Sequence, residues 1–258
     1  MDGRPDPLAE ESRALARAVA YAFLSAAYRY PDDPAAAGLR RLADAVPESL
    51  ALLSDFGEDA GRRFAELVRM AGSLESREAE HTRVFGHAPE GKCPPYEGLY
   101  GDTEEGLQMP HELSDLMAFY RAFGLELSPR ARERVDFVAV ESEFLAFLCR
   151  KQAYAEEVQD AALAAISVDA QRKFLRDHLG RWVPAFARRV IQQAGGGFFR
   201  DLAHFTLAFV LDECRRLGVQ PGADHLRMRV AVPERDACFD CPHAVGSAEP
   251  AAGAAFPV

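Results

Sequence analysis

Apolar positions recur at helical spacing along most of this chain. Leu15, Val19, Ala22, Phe23, Ala26, Ala27 and Tyr30 share one face of a helix predicted over residues 8–30, and Pro31 ends it. Pro34 opens a short helix that Pro47 ends, and Phe64, Leu67, Val68 and Ala71 mark another, with Gly72 as its C-cap. A helix carrying Glu80, His81 and Phe85 follows. Leu113, Leu116, Met117 and Tyr120 then repeat at i, i+3, i+4, i+7, with Gly124 after Phe123 in the place of a C-cap. Ser128-Pro129 reads as N-cap and first-turn proline of a long helix over 128–154. There Phe137, Val138, Val140, Phe144, Leu145, Phe147 and Leu148 are apolar nearly all round, which puts it at the centre of a bundle. Glu141 and Glu143 interrupt that run, and carboxylates buried there need partners. Shorter helices are predicted over 156–166 and 170–182, with a break before Pro184. A further helix through Phe186, Val190 and Ile191 ends at Gly195-Gly196-Gly197, and a last one over 198–217 stops at Gly218. No stretch alternates as a strand does. The expectation is an all-α, single-domain bundle of about ten helices over residues 1–232. Residues 233–258, which hold a cysteine pair and end in Ala, Gly and Pro, are expected to be a partly disordered tail.

One interruption of the helical pattern stands out. Cys93-Pro94-Pro95-Tyr96-Glu97-Gly98-Leu99-Tyr100 is not helical, because consecutive prolines fix φ and push each preceding residue towards extended geometry. Ordered loops of this kind between helices are often binding loops. Tyrosine faces accept apolar groups and guanidinium, and carboxylates pair with arginine. The plain alternative is a packed helix corner with Glu97 at the surface.

The same region carries a family resemblance. An acidic residue (Glu80), an aromatic before glycine (Phe85-Gly86), Pro94-Pro95-Tyr96-Glu97-x-x-Tyr100, and Phe119-Tyr120-x-x-Phe123-Gly124-Leu125 together resemble the TorD/DmsD/NarJ family. The likeness continues in apolar pattern to about Leu217. It implies an all-helical cytoplasmic chaperone that assists maturation of a molybdenum-cofactor oxidoreductase before export. It further implies that the loop helps to grip the client, where present through its twin-arginine leader. Many members show Pro-Asp-His where this chain has Val135-Asp136-Phe137, so no role of that histidine, nucleotide binding included, carries over. The expected client-binding residues are Glu80, Pro94, Pro95, Tyr96, Glu97, Tyr100, Asp136, Glu141 and Glu143. For Asp136 the competing reading is a solvated helix residue.

Composition narrows the alternatives. With 48% hydrophobic residues in 258, the chain can bury a sizeable core. A net charge of −10 speaks against nucleic acid and suits a basic partner. The amino terminus has no secretory pattern and no apolar run approaches membrane-spanning length, so a cytoplasmic protein is expected. Five cysteines, mostly within helical patterns, suit a reducing compartment. Gly86 to Lys92 is spaced like a P-loop, but a helix precedes it, Cys93 follows, and prolines come next. Cys238-x-x-Cys241-Pro-His243 is a candidate zinc or redox pair. It fills half a tetrahedron and would need His243, His225, Cys93 or Cys214 to complete it. His81, His87, His111, His178 and His204 stand singly, and no hydrolase or metalloprotease constellation appears. The sequence therefore reads as a binding protein with no catalytic residues and no cofactor, monomeric or dimeric. A metal-binding or redox-sensing helical protein using Cys238 and Cys241 is the alternative.

Overall fold

In a computed structural model, seven helices follow one another along the described residues. Those residues are 7–32, 38–39, 41–42, 49, 67, 74–86, 91–101, 109–128 and 133–229. The helices are α1 (Pro7–Tyr28), α2 (Leu74–Phe85), α3 (Met109–Ala122), α4 (Val138–Glu157), α5 (Ala161–Asp177), α6 (Leu179–Gln193) and α7 (Phe198–Leu217). A single 3-10 turn, Glu97–Leu99, lies between α2 and α3. No strand occurs among the described residues, only isolated antiparallel bridges at Tyr96–Phe137 and Tyr100–Met228. The chain is all-α, as its periodicity requires.

α1 and α4 pack along each other in opposite directions, since Arg29 meets Glu143 at one end and Arg17 meets Gln152 towards the other. α6 and α7 form a second close pair, and α5 bridges the two pairs. Phe144 and Leu148 of α4 are buried, as an apolar helix at the centre demands. Each such large side chain contributes about 1.5–3 kcal/mol by leaving water. Tyr21, Phe205 and Phe209 of α1 and α7, and Phe174, Trp182 and Phe186 of α5 and α6, belong to the same continuous core.

Among the described residues the helices number seven, against an expected count of about ten. The short helices predicted over 34–47 and 64–71 fall largely outside the described residues, as does the tail from 233 and most of the Gly86–Lys92 stretch. Elsewhere the boundaries differ for physical reasons. α4 starts at Val138 rather than at Ser128, because Phe137 is held extended by its bridge to Tyr96. α5 runs unbroken where two helices were expected. Asp160 caps it by accepting the Leu163 N–H, and Ser167 donates to the Leu163 carbonyl instead of breaking the helix. The break comes at His178, and Pro184 lies inside α6. A proline there cannot donate to the carbonyl four residues back, which belongs to Gly180. That carbonyl accepts the Gly222 N–H at 3.0 Å instead, so the proline leaves nothing unpaired.

Candidate functional site

The Pro-Pro-Tyr-Glu loop is folded into the bundle. Pro94 and Pro95 are buried, and the Pro95 carbonyl accepts the Val138 N–H at 2.9 Å, tying the loop to the first turn of α4. The Glu97 N–H donates to the Asp136 carbonyl at 2.9 Å. The Asp136 carboxylate, only 1% exposed, accepts the Gly98 N–H at 3.0 Å and both Nε and Nη2 of Arg134 at 2.9 and 2.7 Å. Asp136 is therefore a buried clamp on the loop, not a solvated helix residue. Arg134 also lies 4.6 Å over the Tyr96 ring, which packs on Phe137 from its other neighbour.

Glu97 is fully buried. One carboxylate oxygen accepts Arg181 Nη2 at 2.6 Å, and the other lies 3.2 Å from His178 Nδ1. Arg181 also reaches Glu112 at 3.2 Å, and Glu112 is held bidentately by Arg229 at 2.6 and 3.0 Å. Two carboxylates and two guanidiniums thus alternate across the loop, α3, α6 and the segment after α7, which is how a buried carboxylate is tolerated. Glu141 lies fully buried beside this chain and accepts Trp182 Nε1 at 3.2 Å on both oxygens. Burial first, and the nearby Glu97 charge second, push the Glu141 carboxyl well above its ordinary range. Tyr100 packs against Trp182, tilted at 5.3 Å, and meets Phe186 edge-on at 6.2 Å, and it is wholly buried.

Of the expected set, Pro94, Pro95, Glu97, Tyr100, Asp136 and Glu141 thus meet around the loop but face inward, where they shape it. Glu80 lies elsewhere, on α2 against the first turn of α7, and is also buried. The plain alternative that put this carboxylate at the surface fails: Glu97 is interior, paired with Arg181 of α6 and beside His178 at the break before it. Tyr96 is half-buried, and Glu143 alone is well exposed, at 65%, pairing with Arg29 at 2.8 Å. Arg181, His178, Trp182, Arg134, Glu112 and Arg229 were not singled out as site residues from the sequence. The one available signal was that buried carboxylates require partners; nothing local says which arginine, 84 residues away, supplies one.

An open groove of about 460 Å³ lies beside Glu143. Its floor is Tyr120, Leu125, Leu127, Val140, Phe144 and Phe147, and its rim holds Glu126, Glu133, Glu143, Arg29 and Arg150. Glu133, next to the Arg134–Tyr96 stack, has its carboxyl raised by burial. An apolar floor with three carboxylates and two guanidiniums on its rim suits a segment carrying apolar and charged side chains, basic ones meeting the carboxylates. Among the described residues no group of three or more His, Cys, Asp or Glu could hold a metal ion, and Cys238, Cys241 and His243 lie outside them. Among the same residues, no helix is long and apolar enough to cross a membrane.

Comparison with known proteins gives a consistent picture. A profile of the nitrate reductase delta subunit family matches residues 34–188. The chain is similar to the perchlorate reductase assembly chaperone protein of Dechloromonas aromatica (strain RCB), 29% identical over 202 residues, covering 77% of this chain and 88% of that one. It is similar to chaperone protein TorD of Vibrio cholerae (strain O395), 26% identical over 160 residues, covering 59% and 70%. It is also similar to the selenate reductase assembly chaperone protein of Thauera selenatis, 37% identical over 125 residues, covering 48% and 62%.

Proposed function

This chain belongs to the nitrate reductase delta subunit family, the TorD/DmsD/NarJ group, and from that premise we propose that it is an assembly chaperone for a molybdenum-cofactor oxidoreductase. The observation that carries the reading is a family match over residues 34–188, which include the loop and all the expected client-binding residues, with relatives named as chaperones of reductase assembly. The protein holds the catalytic subunit in the cytoplasm until its cofactor is inserted. It acts by binding and has no enzymatic activity of its own. Affinity is higher for the unfinished client than for the finished one, which is what allows release.

The contact surface in this reading is the groove beside Glu143, with Tyr96 at its Glu133 end. Supporting it are the apolar floor, the exposed Glu143 carboxylate and a half-buried tyrosine already stacked with a guanidinium. The buried residues Pro94, Pro95, Glu97, Tyr100, Asp136 and Glu141 hold that surface in shape, which lowers the entropy lost on binding. A leader bearing arginines is one segment that fits such a rim.

The test is co-purification of the tagged chain from cells grown with and without molybdenum. The expected result is a molybdopterin-type catalytic subunit, enriched when cofactor synthesis is blocked. Equal recovery of the cofactor-loaded and cofactor-free subunit, or of neither, overturns the reading.

A further inference from the structure

The segment after α7 turns back across the molecule and ends on the Pro-Pro-Tyr-Glu loop. Gly222 donates to Gly180, and Asp224 pairs with Arg188 at 2.6 Å, which fixes the start of the return. Farther along, it pairs with the loop through an isolated antiparallel bridge. Met228 bridges Tyr100, the Arg229 N–H donates to the Leu99 carbonyl at 3.0 Å, and the Gly101 N–H donates to the Arg227 carbonyl at 3.1 Å. The Arg229 side chain then turns inward until only 5% of the residue is exposed. Its Nη1 donates to the Gly98 carbonyl at 3.1 Å and to Glu112 at 2.6 Å, and its Nη2 donates to Glu112 at 3.0 Å. The guanidinium lies against Gly101, where a Cβ would come within 2.3 Å of it. With a side chain at residue 101 the guanidinium would have to shift from this place.

Backbone edge, carboxylate and glycine floor together form a receptor for one arginine in an extended peptide. The chain's own arginine fills it incompletely, for the buried Arg229 Nε has no hydrogen-bond partner among the described residues. Among the described residues two backbone bonds join strap and edge, Arg229 N–H to the Leu99 carbonyl and Gly101 N–H to the Arg227 carbonyl. Such a contact is easily exchanged for a better one of the same chemistry.

We propose that residues 226–229 are an intramolecular occupant of an arginine-binding site, and that an extended, arginine-bearing segment of the client displaces them. The site lies on the Leu99–Gly101 edge of the loop, apart from the groove beside Glu143. Displacement breaks the Arg229–Glu112 pair, and the incoming guanidinium restores it. Glu112 also accepts Arg181, and Arg181 holds Glu97, so occupancy of this site is passed to the loop through a chain of charges. The strap competes as a tethered ligand, so the free chain binds such a segment weakly until the strap lifts. That the outside segment belongs to the client rests on the chaperone reading; the existence of the site does not.

The test uses a synthetic peptide with the sequence of residues 222–230, fluorescently labelled and titrated onto the full chain. The Arg229→Ala chain is expected to bind it at least about tenfold more tightly than the parent chain, because the competing occupant is gone. The same peptide with its own Arg229→Ala change is expected to lose that gain. Equal affinity for both chains, or a gain that the alanine peptide keeps, overturns the proposal. Hydrogen exchange on the parent chain gives a second measurement that needs no variant to fold. The amides of Gly101 and Arg229 are expected to exchange together, about a hundredfold or more faster than those of central α4. Exchange of this pair only at the rate of global unfolding makes the strap a fixed part of the fold and overturns the proposal. Neither measurement involves a reductase, so their failure leaves the chaperone reading intact, and failure of the co-purification leaves the site intact.

Discussion

Glu80 caps the helix that begins at Phe198. Its two carboxylate oxygens accept the Phe198 and Phe199 N–H groups, each at 3.0 Å, across 118 and 119 residues of sequence. Gly197, at φ 98°, lets the carboxylate come this close, since a Cβ there would lie 2.7 Å from it. The first turn of α7 thus takes its cap from α2 and not from its own flank.

Glu80→Ala is expected to lower unfolding stability by about 1–2 kcal/mol, the usual worth of a lost N-cap. Glu80→Gln should lose less, because burial already raises this carboxyl and an amide oxygen still accepts one of the two N–H groups. Denaturant midpoints check both. Client affinity measured well below the melt should be unchanged in either variant, since the side chain is buried away from the groove.

Stability should fall in acid through a second pair. Arg17 of α1 and Glu213 of α7 are buried together, with contacts of 2.8 and 3.0 Å from Nε and 2.5 Å from Nη2. Burial alone would raise the Glu213 carboxyl, but the Arg17 charge and hydrogen bonds, with Arg216 behind them, hold it at about 2. A carboxyl lowered by folding adds stability above its ordinary pKa and loses it as pH falls through the folded value. The contribution, about 3 kcal/mol, is therefore present above about pH 4.5 and lost by about pH 2. His81, held down to about 4 by burial, adds a loss of the same sign between its ordinary value of 6.5 and about 4. Thermal melts from pH 7 to 3 should show both. Glu213→Gln should destabilise the protein at pH 7 and flatten the lower part of the curve; an unchanged slope would exclude this pair as its source.

Local pattern made the fold class legible, because 3.6-residue periodicity fixes which face of each helix is buried without knowledge of its partner. It also marked Gly124, whose φ of 72° closes α3, and Gly218, which ends α7. It did not reveal Pro184 inside α6, because the Gly222 N–H that makes this tolerable comes from a distant turn. Nor did it show which way the loop faces. Tyr96, Glu97 and Tyr100 have the same residue types whether they meet a partner or line an interior. Only the positions of Arg181 and Trp182, set by tertiary packing, distinguish the two.

The cysteine pair of the tail is expected to be dispensable for the fold. Cys93, Cys149 and Cys214 are buried, and burial raises their thiols to about 11, 11 and 12. They are poor sources of the thiolates that Cys238 and Cys241 would need to complete a tetrahedron. Cys238→Ser with Cys241→Ser should leave the thermal midpoint within about a degree, since both follow the last apolar-periodic stretch of the sequence. A large fall in the midpoint, or stoichiometric zinc in the parent chain that the double variant lacks, would make the tail a structural metal site.

Glu97→Gln separates a holding role for the loop from a gripping one. Glu97 is buried and receives Arg181 at 2.6 Å, so the amide keeps one acceptor but loses the charge that balances a partly buried guanidinium. A cost of about 1–3 kcal/mol is expected, the usual range for an under-satisfied buried polar contact. For the protein that remains folded, affinity for an arginine-bearing client peptide in the groove should be the same as for the parent chain at both low and high salt. Glu143→Gln should do the reverse. Glu143 is exposed and pairs only with Arg29 in the contacts described, so its loss should cost at most about 1 kcal/mol of stability. It should nonetheless weaken peptide binding and reduce its salt dependence, because one charge-assisted contact becomes neutral. Tyr96→Ala should affect both quantities, since the ring packs on Phe137 and also meets Arg134. Peptide titrations at two salt concentrations, each beside a thermal melt, read the three variants together. If Glu97→Gln weakened binding while its melt stayed unchanged, the loop carboxylate would either turn outward to meet the client or act on it through Arg181 and Glu112.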